Sequence, residues 1–222
     1  MGYRLSSILV VLGMLAAMFI RFSFTNVGDQ IYDYEFGGGI TSSVMKESFA
    51  EFHITKPEDM VANADTILKV KYGGHRQVTE LAFYSQVTVL EVYKGDKALN
   101  GKEINVMEDI STFVSNKYVN SVAALTVMQP ENEYLLLLKK PQFDETRKLT
   151  EYQQNLFYIY PKYSLGCFPI MDQKQTKLYP IDDGTQTLNN RKEFEVYIVD
   201  QEGLDLYYQY KDTIFKLLSV NN

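Results

Sequence analysis

Hydrophobic and polar residues alternate along much of the chain, and this alternation predicts short β-strands. Between Thr66 and Tyr72, the apolar side chains of Leu68, Val70 and Tyr72 fall at every second position, which places them on one face of a strand. Gly73, followed by a second glycine, is expected to end this strand.

The stretch SQVTVLEVYKGDKALNGKEINVME, Ser85 to Glu108, predicts a hairpin whose first strand changes phase. Val87 and Val89 alternate, but the next apolar residues are Leu90 and Val92. The reversal indicates a β-bulge, which adds one residue and bends the strand, whereas a continuous strand covered on both faces is the alternative. After a turn rich in glycine and aspartate, the residues expected to face inward on the returning strand are Ile104 and Val106.

Apolar runs also predict strands in the second half of the chain. The run EYLLLLKKP, Glu133 to Pro141, suits a central strand buried on both faces. A strand pair is expected between Asn155 and Ile170, and KLYPID, from Lys177, is expected to add a short edge strand. Residues 109–132 are weakly patterned and are expected to form a loop or a small helix.

Two segments have helical signals. A helix is predicted from Lys56 to Asn63, because Thr55 and Glu58 have capping-box spacing and Pro57 is tolerated in a first turn. An amphipathic helix is predicted over EGLDLYYQYKDTIFKLL, from Glu202, where apolar residues recur at three and four. Its apolar stripe consists of Leu204, Tyr207, Tyr208, Lys211, Ile214, Phe215 and Leu218. These elements predict a mainly β domain with flanking helices, as a small, largely antiparallel barrel or sandwich.

The amino-terminal residues have the pattern of a membrane segment. An apolar run from Leu5 to Ile20 lies between Arg4 and Arg21 and is about 24 Å long as a helix, a little less than the hydrocarbon core of a bilayer. No convincing small-residue cleavage site follows, so we expect an uncleaved transmembrane anchor over residues 1–21, with secretion after signal cleavage as the alternative.

The anchor predicts where the rest of the chain lies. We expect the amino terminus to lie inside the cell and the bulk of the chain to be extracytoplasmic, with a single pass through the cell membrane at residues 5–20. Residues 22–50 contain three successive glycines from Gly37 and no sustained period, which predicts a stalk. Residues 51–222 are expected to form one extracellular domain.

Composition and charge narrow the possible functions. The chain has 222 residues, of which 45% are hydrophobic and 23% charged, as in ordinary folded proteins. The net charge of -6 argues against a nucleic-acid partner, because phosphate binding requires clustered Lys and Arg. The single cysteine, Cys167, has no partner for an internal disulfide and is expected to be a buried, unreactive residue.

The sequence contains no catalytic signature. His53 and His75 are far apart, so no metal site is expected, and neither a Gly-x-Ser-x-Gly nucleophile motif nor a phosphate-binding loop occurs. No cofactor is expected. A cell-envelope hydrolase that uses acidic residues of the C-terminal half, such as Asp182 or Asp200, is the enzymatic alternative.

Tyrosines are the best candidates for binding. In NLFYIYPKY, an inward Phe157 and Ile159 would turn Tyr158 and Tyr160 outward, and the following Tyr163 lies beyond the turn. Exposed tyrosines bind peptides or sugars well, although packing under the C-terminal helix explains them equally simply. The fourth binding candidate is His75, which is expected in an exposed turn.

Three segments stand in an order that resembles a known family: EDMVANADTILKVKYG, then VTVLEVYKGDKALNGKEINVME, then ENEYLLLLKKP. The chain resembles, from Pro57 to Pro141, poorly characterised membrane-anchored surface proteins of Gram-positive bacteria. The resemblance implies a five-stranded, antiparallel OB-like barrel of the kind shared by netrin modules and tissue inhibitors of metalloproteinases. Those inhibitors act through an amino-terminal cysteine, which is missing here, so no inhibitory residue is carried over.

These observations together predict a non-enzymatic function. We expect a membrane-anchored, extracytoplasmic binding module for a protein or a cell-envelope component. The other alternative is a structural subunit of an envelope, export or sporulation assembly.

Overall fold

Five strands of the chain close into a barrel, and helices cover part of its outer surface. The computed structural model describes residues 31–79, 82–113, 117–121, 127–144, 146, 148–161, 165–180, 187–191 and 193–220. The strands are β1 (Glu35–Gly38), β2 (Thr66–Val78), β3 (Phe83–Lys94), β4 (Glu103–Glu108), β5 (Ser111–Phe113), β6 (Tyr118–Ser121), β7 (Glu133–Lys139), β8 (Leu156–Ile159) and β9 (Cys167–Pro169). The helices are α1 (Ser42–Glu51), α2 (Pro57–Asn63), α3 (Glu151–Gln154) and α4 (Gln201–Leu218), with short 3-10 helices at Ile31–Asp33, Lys97–Leu99 and Leu188–Arg191.

Around the barrel the strand order is β2, β3, β4, β8 and β7, and β7 pairs back with β2. β4 and β8 run parallel, with Val106 opposite Phe157, whereas the other neighbouring strands are antiparallel. The predicted five-stranded barrel is therefore confirmed, but it is mixed, with one parallel pair among otherwise antiparallel neighbours. The reason is parity, because a closed ring with an odd number of strands must contain at least one pair that runs in the same direction.

The alternation predicted for the first barrel strand is confirmed. Leu68, Val70 and Tyr72 of β2 are buried inside the barrel, where they belong to the same cluster as Ile104 and Val106 of β4. This apolar interior explains why both strands alternate, since each has one face inside the barrel.

The phase change in β3 is a β-bulge, as predicted. Val89 lies opposite Val70 of β2, and Glu91 lies opposite the adjacent Lys69, so Leu90 is the extra residue. Leu90 is 39% exposed, whereas Val89 and Val92 are buried. The bulge therefore returns Val92 to the barrel interior after the register changes.

β2 is longer than the sequence predicts. The expected end at Gly73 is wrong, because the strand continues to Val78 past another shift in its register with β3. Tyr72 lies opposite Val87, and Arg76 lies opposite Ser85. Between these two pairs, β2 contains residues 73–75, whereas β3 contains only Gln86. Gly74, at φ +92°, supplies a left-handed conformation that favours glycine, and the strand resumes after this kink.

β7 is buried on both faces, as its uninterrupted apolar run predicts. Leu136 and Leu138 lie in the barrel interior, whereas Leu135 and Leu137 lie in a second core between the barrel and the helices. The helices contribute to that second core Met45, Phe49, Met60, Leu204, Tyr207, Ile214 and Phe215.

Residues 31–50 differ from the stalk that their composition predicts. They form β1 and α1, and Phe36, Ile40, Met45 and Phe49 are buried. The folded domain therefore begins before the expected residue 51. The glycines reflect close packing instead of a free linker, since a side chain at Gly37 would collide with the ring of Tyr118.

A second, smaller sheet has the order β1, β6, β5, with β1 and β6 parallel. Two of its strands lie in residues 109–132, for which a loop or a small helix is expected from the sequence. A third apolar cluster lies beside this sheet and includes Phe36, Val119, Tyr179 and Tyr197. Tertiary contacts thus support strands whose own sequence pattern is weak.

The remaining expectations have mixed outcomes. The two predicted helices are confirmed as α2 and α4, and the predicted strand pair is confirmed as β8 and β9, each paired with β7. The expected edge strand is absent from its described part, residues 177–180.

Within the part of the chain that the structure describes, none of the helices combines the length and apolar surface needed to cross a bilayer. The expected anchor at 1–21 lies outside the described residues.

Candidate functional site

A shallow groove on the outer face of the barrel is the best candidate site. Its floor begins with β3, where Phe83, Ser85 and Val87 are buried and the intervening Tyr84 and Gln86 face outward. This alternation follows from the two-residue period of a strand that has one face in the core.

Neighbouring strands extend the floor with polar side chains. Gln77 on β2 lies opposite Tyr84, and Asn105 on β4 lies opposite Gln86. His75, which precedes this stretch in the kinked part of β2, is exposed and lines the same surface. The floor is therefore built mostly from amide groups around a tyrosine.

The wall of the groove comes from the connection between β7 and β8. Thr150 caps α3, since its Oγ1 accepts from the backbone N of Gln153 at 3.3 Å and its own N donates to Gln153 Oε1 at 3.1 Å. This capped turn presents Tyr152 towards the floor. The rings of Tyr84 and Tyr152 are 6.3 Å apart between centroids and inclined at 61°, so their faces are not stacked on each other.

The groove consists of two adjoining depressions, with volumes of about 390 Å³ and about 260 Å³. Both are lined by Gln77, Tyr84 and Tyr152, which makes them parts of one surface. The larger depression adds Phe143, Thr150, Gln153 and Leu156 to the lining. An extended ligand is therefore a better fit than a small compact one.

Arg76 lies beneath one end of the groove, where its guanidinium is held inside the protein. It donates to Glu108 Oε1 at 3.0 Å, to Ser85 Oγ at 2.9 Å, to Tyr32 Oη at 3.2 Å and to the carbonyl O of Met128 at 2.9 Å. The Arg76 and Glu108 side chains are only 1% and 0% exposed. Burial alone would lower the pKa of Arg76, but the Glu108 carboxylate, Tyr72 and Tyr32 together outweigh that effect and raise it. This cation therefore supports the groove without offering its charge to a ligand.

The hydroxyl of Tyr152 is suited to donate a hydrogen bond. Partial burial and the neighbouring Tyr84 raise the pKa of Tyr152 to about 12, so the hydroxyl keeps its proton at neutral pH. Gln86 is already oriented, since its Nε2 donates to Glu103 Oε2 at 2.9 Å. The groove thus offers donors, acceptors and aromatic faces, and its described lining contains no paired nucleophile and base.

The structure separates the binding candidates predicted from sequence. His75 is exposed and lines the groove, whereas Tyr158 is half-buried, lies opposite Lys139 of β7 and is outside the described lining. Tyr160 is only 2% exposed, so the expectation that it is exposed is wrong. Although it points away from the barrel interior, the helical layer covers it, with the ring of Phe52 at 5.3 Å. Tyr163 lies outside the described residues.

Of the two acidic residues named for a hydrolase, Asp200 is described and has a structural role. Asp200 caps α4, with its Oδ1 accepting from the backbone N of Gly203 at 2.6 Å. Its Oδ2 accepts from the backbone N of Ser42 at 2.8 Å. Asp182 lies outside the described residues.

A buried carboxylate that the sequence analysis missed is Glu195. Tyr207 Oη and Tyr208 Oη donate to its two oxygens at 2.9 and 2.7 Å. Lys211 donates to it as well and to the carbonyl O of Pro169 at 2.6 Å. Since these groups satisfy one another in the interior, the cluster fastens α4 to the domain. Lys211 in an otherwise apolar helical stripe was the available sequence signal.

Two further expectations concern reactive groups and metals. Cys167 is fully buried, as expected, and burial raises the pKa of its thiol, which keeps it protonated and unreactive. No cluster of three His, Cys, Asp or Glu side chains suited to a metal ion occurs among the described residues.

No protein-family model matches this chain, and no curated protein matches it either. The resemblance to Gram-positive surface proteins therefore stays a prediction, and function must be argued from the groove.

Proposed function

We propose that this protein is a non-catalytic binding module whose ligand, a protein or a cell-envelope component, lies in the groove of the barrel. The observation that carries the proposal is the contact between Tyr84 on the floor and Tyr152 on the wall of a groove lined by amide side chains. Aromatic residues with a few placed polar groups are typical of ligand-binding surfaces.

The strand order supports an OB-like barrel, and it supports placing the ligand on the outer face of β3 and β4. The order β2, β3, β4, β8, β7, with β4 and β8 parallel, makes β3 and β4 the second and third strands of the barrel. OB barrels bind oligonucleotides and oligosaccharides on that face, beside the loop between their fourth and fifth strands. Here that loop joins β7 to β8 and carries Tyr152. His75 belongs to the proposed surface, whereas Tyr158 and Tyr163 remain untested binding candidates.

A crosslinked pull-down from native membranes tests the binding proposal. We expect the unaltered chain to capture a ligand that Tyr84→Ala and Tyr152→Ala lose, while Tyr93→Ala, at the far end of β3, keeps it. Thermal unfolding of each variant must first show that the fold persists. Equal capture by all variants would remove the groove from the binding site. Recovery in a stoichiometric complex would instead favour a structural subunit.

We further propose that residues 5–20 hold the domain at the outer face of the cell membrane. The support is the apolar run between Arg4 and Arg21. Protease added to intact cells is expected to cut the domain, while a cytosolic marker stays intact. Protection of both would contradict this placement. Recovery of a shortened chain from the medium would support secretion after cleavage.

A further inference from the structure

The lining of the groove is uncharged over most of its area, and this limits the chemistry of the ligand. Its described residues include no Asp or Glu, and its polar groups are mainly the amides of Gln77, Gln86, Asn105 and Gln153. Amides donate and accept hydrogen bonds together, as hydroxyl and acetamido groups do. From this chemistry we propose that the groove binds a neutral glycan strand. The inference rests on the proposed binding function and names its ligand class.

Tyrosine supplies the apolar half of this recognition. Tyr152 is 40% exposed, and the 61° inclination to Tyr84 leaves aromatic surface free for a ligand. A sugar ring has an apolar face of C–H groups that packs on an aromatic face, while its hydroxyls reach polar neighbours. Since the pKa of Tyr152 is about 12, its hydroxyl adds a donor beside the stacking surface.

An anionic polymer fits this groove poorly. Phosphate or uronate recognition draws on several available Lys or Arg side chains. The guanidinium within the described lining belongs to Arg76, which is paired with Glu108 at 3.0 Å and almost fully buried. The chain also has a net charge of -6, which repels polyanions.

An added peptide strand also fits the floor poorly. Strand addition requires a free edge with unpaired backbone groups. From Phe83 to Thr88, β3 is paired with β4 on one side, and on the other side each of these residues except Gln86 is paired with β2. The centre of the floor therefore offers side chains and not backbone hydrogen bonds, which favours a ligand recognised through rings and amides.

Calorimetric titration with defined probes tests this proposal. The neutral probes are chito-oligosaccharides and cello-oligosaccharides, and the competing classes are represented by polyphosphate and an unstructured peptide. We expect a neutral series to bind, with affinity unchanged by added salt, because no counterions are released. Tyr84→Ala and Tyr152→Ala should each weaken binding about tenfold or more, as loss of one aromatic stacking contact does. Tyr93→Ala should leave the affinity unchanged.

Two milder variants keep the result interpretable if an alanine variant unfolds. Gln86→Ala removes an amide from the floor, and Tyr152→Phe removes only a hydroxyl, so each should weaken binding of the neutral probe several-fold. Failure of both neutral series to bind overturns the glycan proposal, as does binding of polyphosphate or peptide alone. If groove-dependent capture persists in the pull-down, the binding function survives that failure. If capture is lost as well, both proposals fall.

Discussion

The carboxylate of Asp200 joins the first α-helix of the folded domain to the last one. Its Oδ2 accepts from the backbone N of Ser42 at 2.8 Å, while its Oδ1 accepts from the backbone N of Gly203 at 2.6 Å. One side chain thus satisfies amide groups at the starts of both α1 and α4. The contact ties residues near the amino-terminal end of the described chain to its C-terminal helix.

Asp200→Ala is expected to destabilise the domain by about 2 kcal/mol, because amide groups of two helices lose their acceptor. Urea unfolding measures the change in free energy. Asp172→Ala is the matched control, since Asp172 is exposed, and it should change the stability by less than about 0.5 kcal/mol. Equal effects of the two substitutions would mean that the hydrogen bonds that Asp200 accepts from α1 and α4 contribute nothing to stability.

Glu202 is expected to make the stability of the domain depend on acidic pH. Hydrogen bonds from Lys46 and Ser42 lower the pKa of Glu202 below its ordinary value of 4.5. Its stabilising contribution is therefore fully present above pH 4.5 and is lost as the pH falls through the lowered pKa. Thermal unfolding of Glu202→Gln and the unaltered chain should differ at neutral pH and converge in acid.

The hydrogen bond from Lys46 is the largest cause of the lowered pKa of Glu202, and a variant at Lys46 tests it separately. Lys46→Met removes the strongest hydrogen bond to Glu202, so NMR titration should show the pKa of Glu202 rising towards 4.5. Because both side chains are exposed, added salt should weaken the effect. If the thermal stability of Glu202→Gln differed from that of the unaltered chain by the same amount at every pH, Glu202 would not be the source of the pH dependence.

Arg76→Met is expected to destabilise the barrel by about 3 to 5 kcal/mol, because it leaves the buried Glu108 carboxylate without its cation. The double variant Arg76→Met, Glu108→Gln should recover part of the loss, since no unpaired charge then remains. Denaturant unfolding of both variants measures the difference. A double variant less stable than Arg76→Met alone would contradict this account of the pair.

The bulge in β3 makes neighbouring apolar residues unequal. Val92 is 4% exposed and Leu90 is 39% exposed. Val92→Ser should therefore cost about 2 kcal/mol through lost apolar burial and an added buried hydroxyl, whereas Leu90→Ser should change the stability by less than about 0.5 kcal/mol. Chemical unfolding compares them directly. Similar losses would indicate a continuous strand covered on both faces.

Local pattern predicted the elements that alternate or repeat strongly. The hairpin of β3 and β4, the doubly buried β7 and the amphipathic α4 follow from periodicity, because one face of each element is constrained by burial. β1, β5 and β6 were missed, since they are short strands whose stability depends on partners distant in the sequence.

Only part of the candidate site could be predicted from the sequence. His75 was singled out and lines the groove, but Tyr84 and Tyr152 were not connected, because they lie 68 positions apart and only barrel closure brings their rings to 6.3 Å. The outward position of Tyr84 was readable from the apolar residues Phe83, Val87 and Val89, which share the opposite phase of the alternation. Tyr160 illustrates the opposite case, since an outward-facing residue becomes buried when a helix packs over it.

The sequence by itself determined which residues of β2, β4 and β7 face the core and where β3 changes phase, because hydrophobic period and backbone geometry are local properties. Only the tertiary structure decided that β7 returns to β2, that Asp200 joins α1 to α4 and that two tyrosines share one groove. Such relationships depend on the order in which strands and helices pack, and that order arises from contacts between residues far apart in the chain.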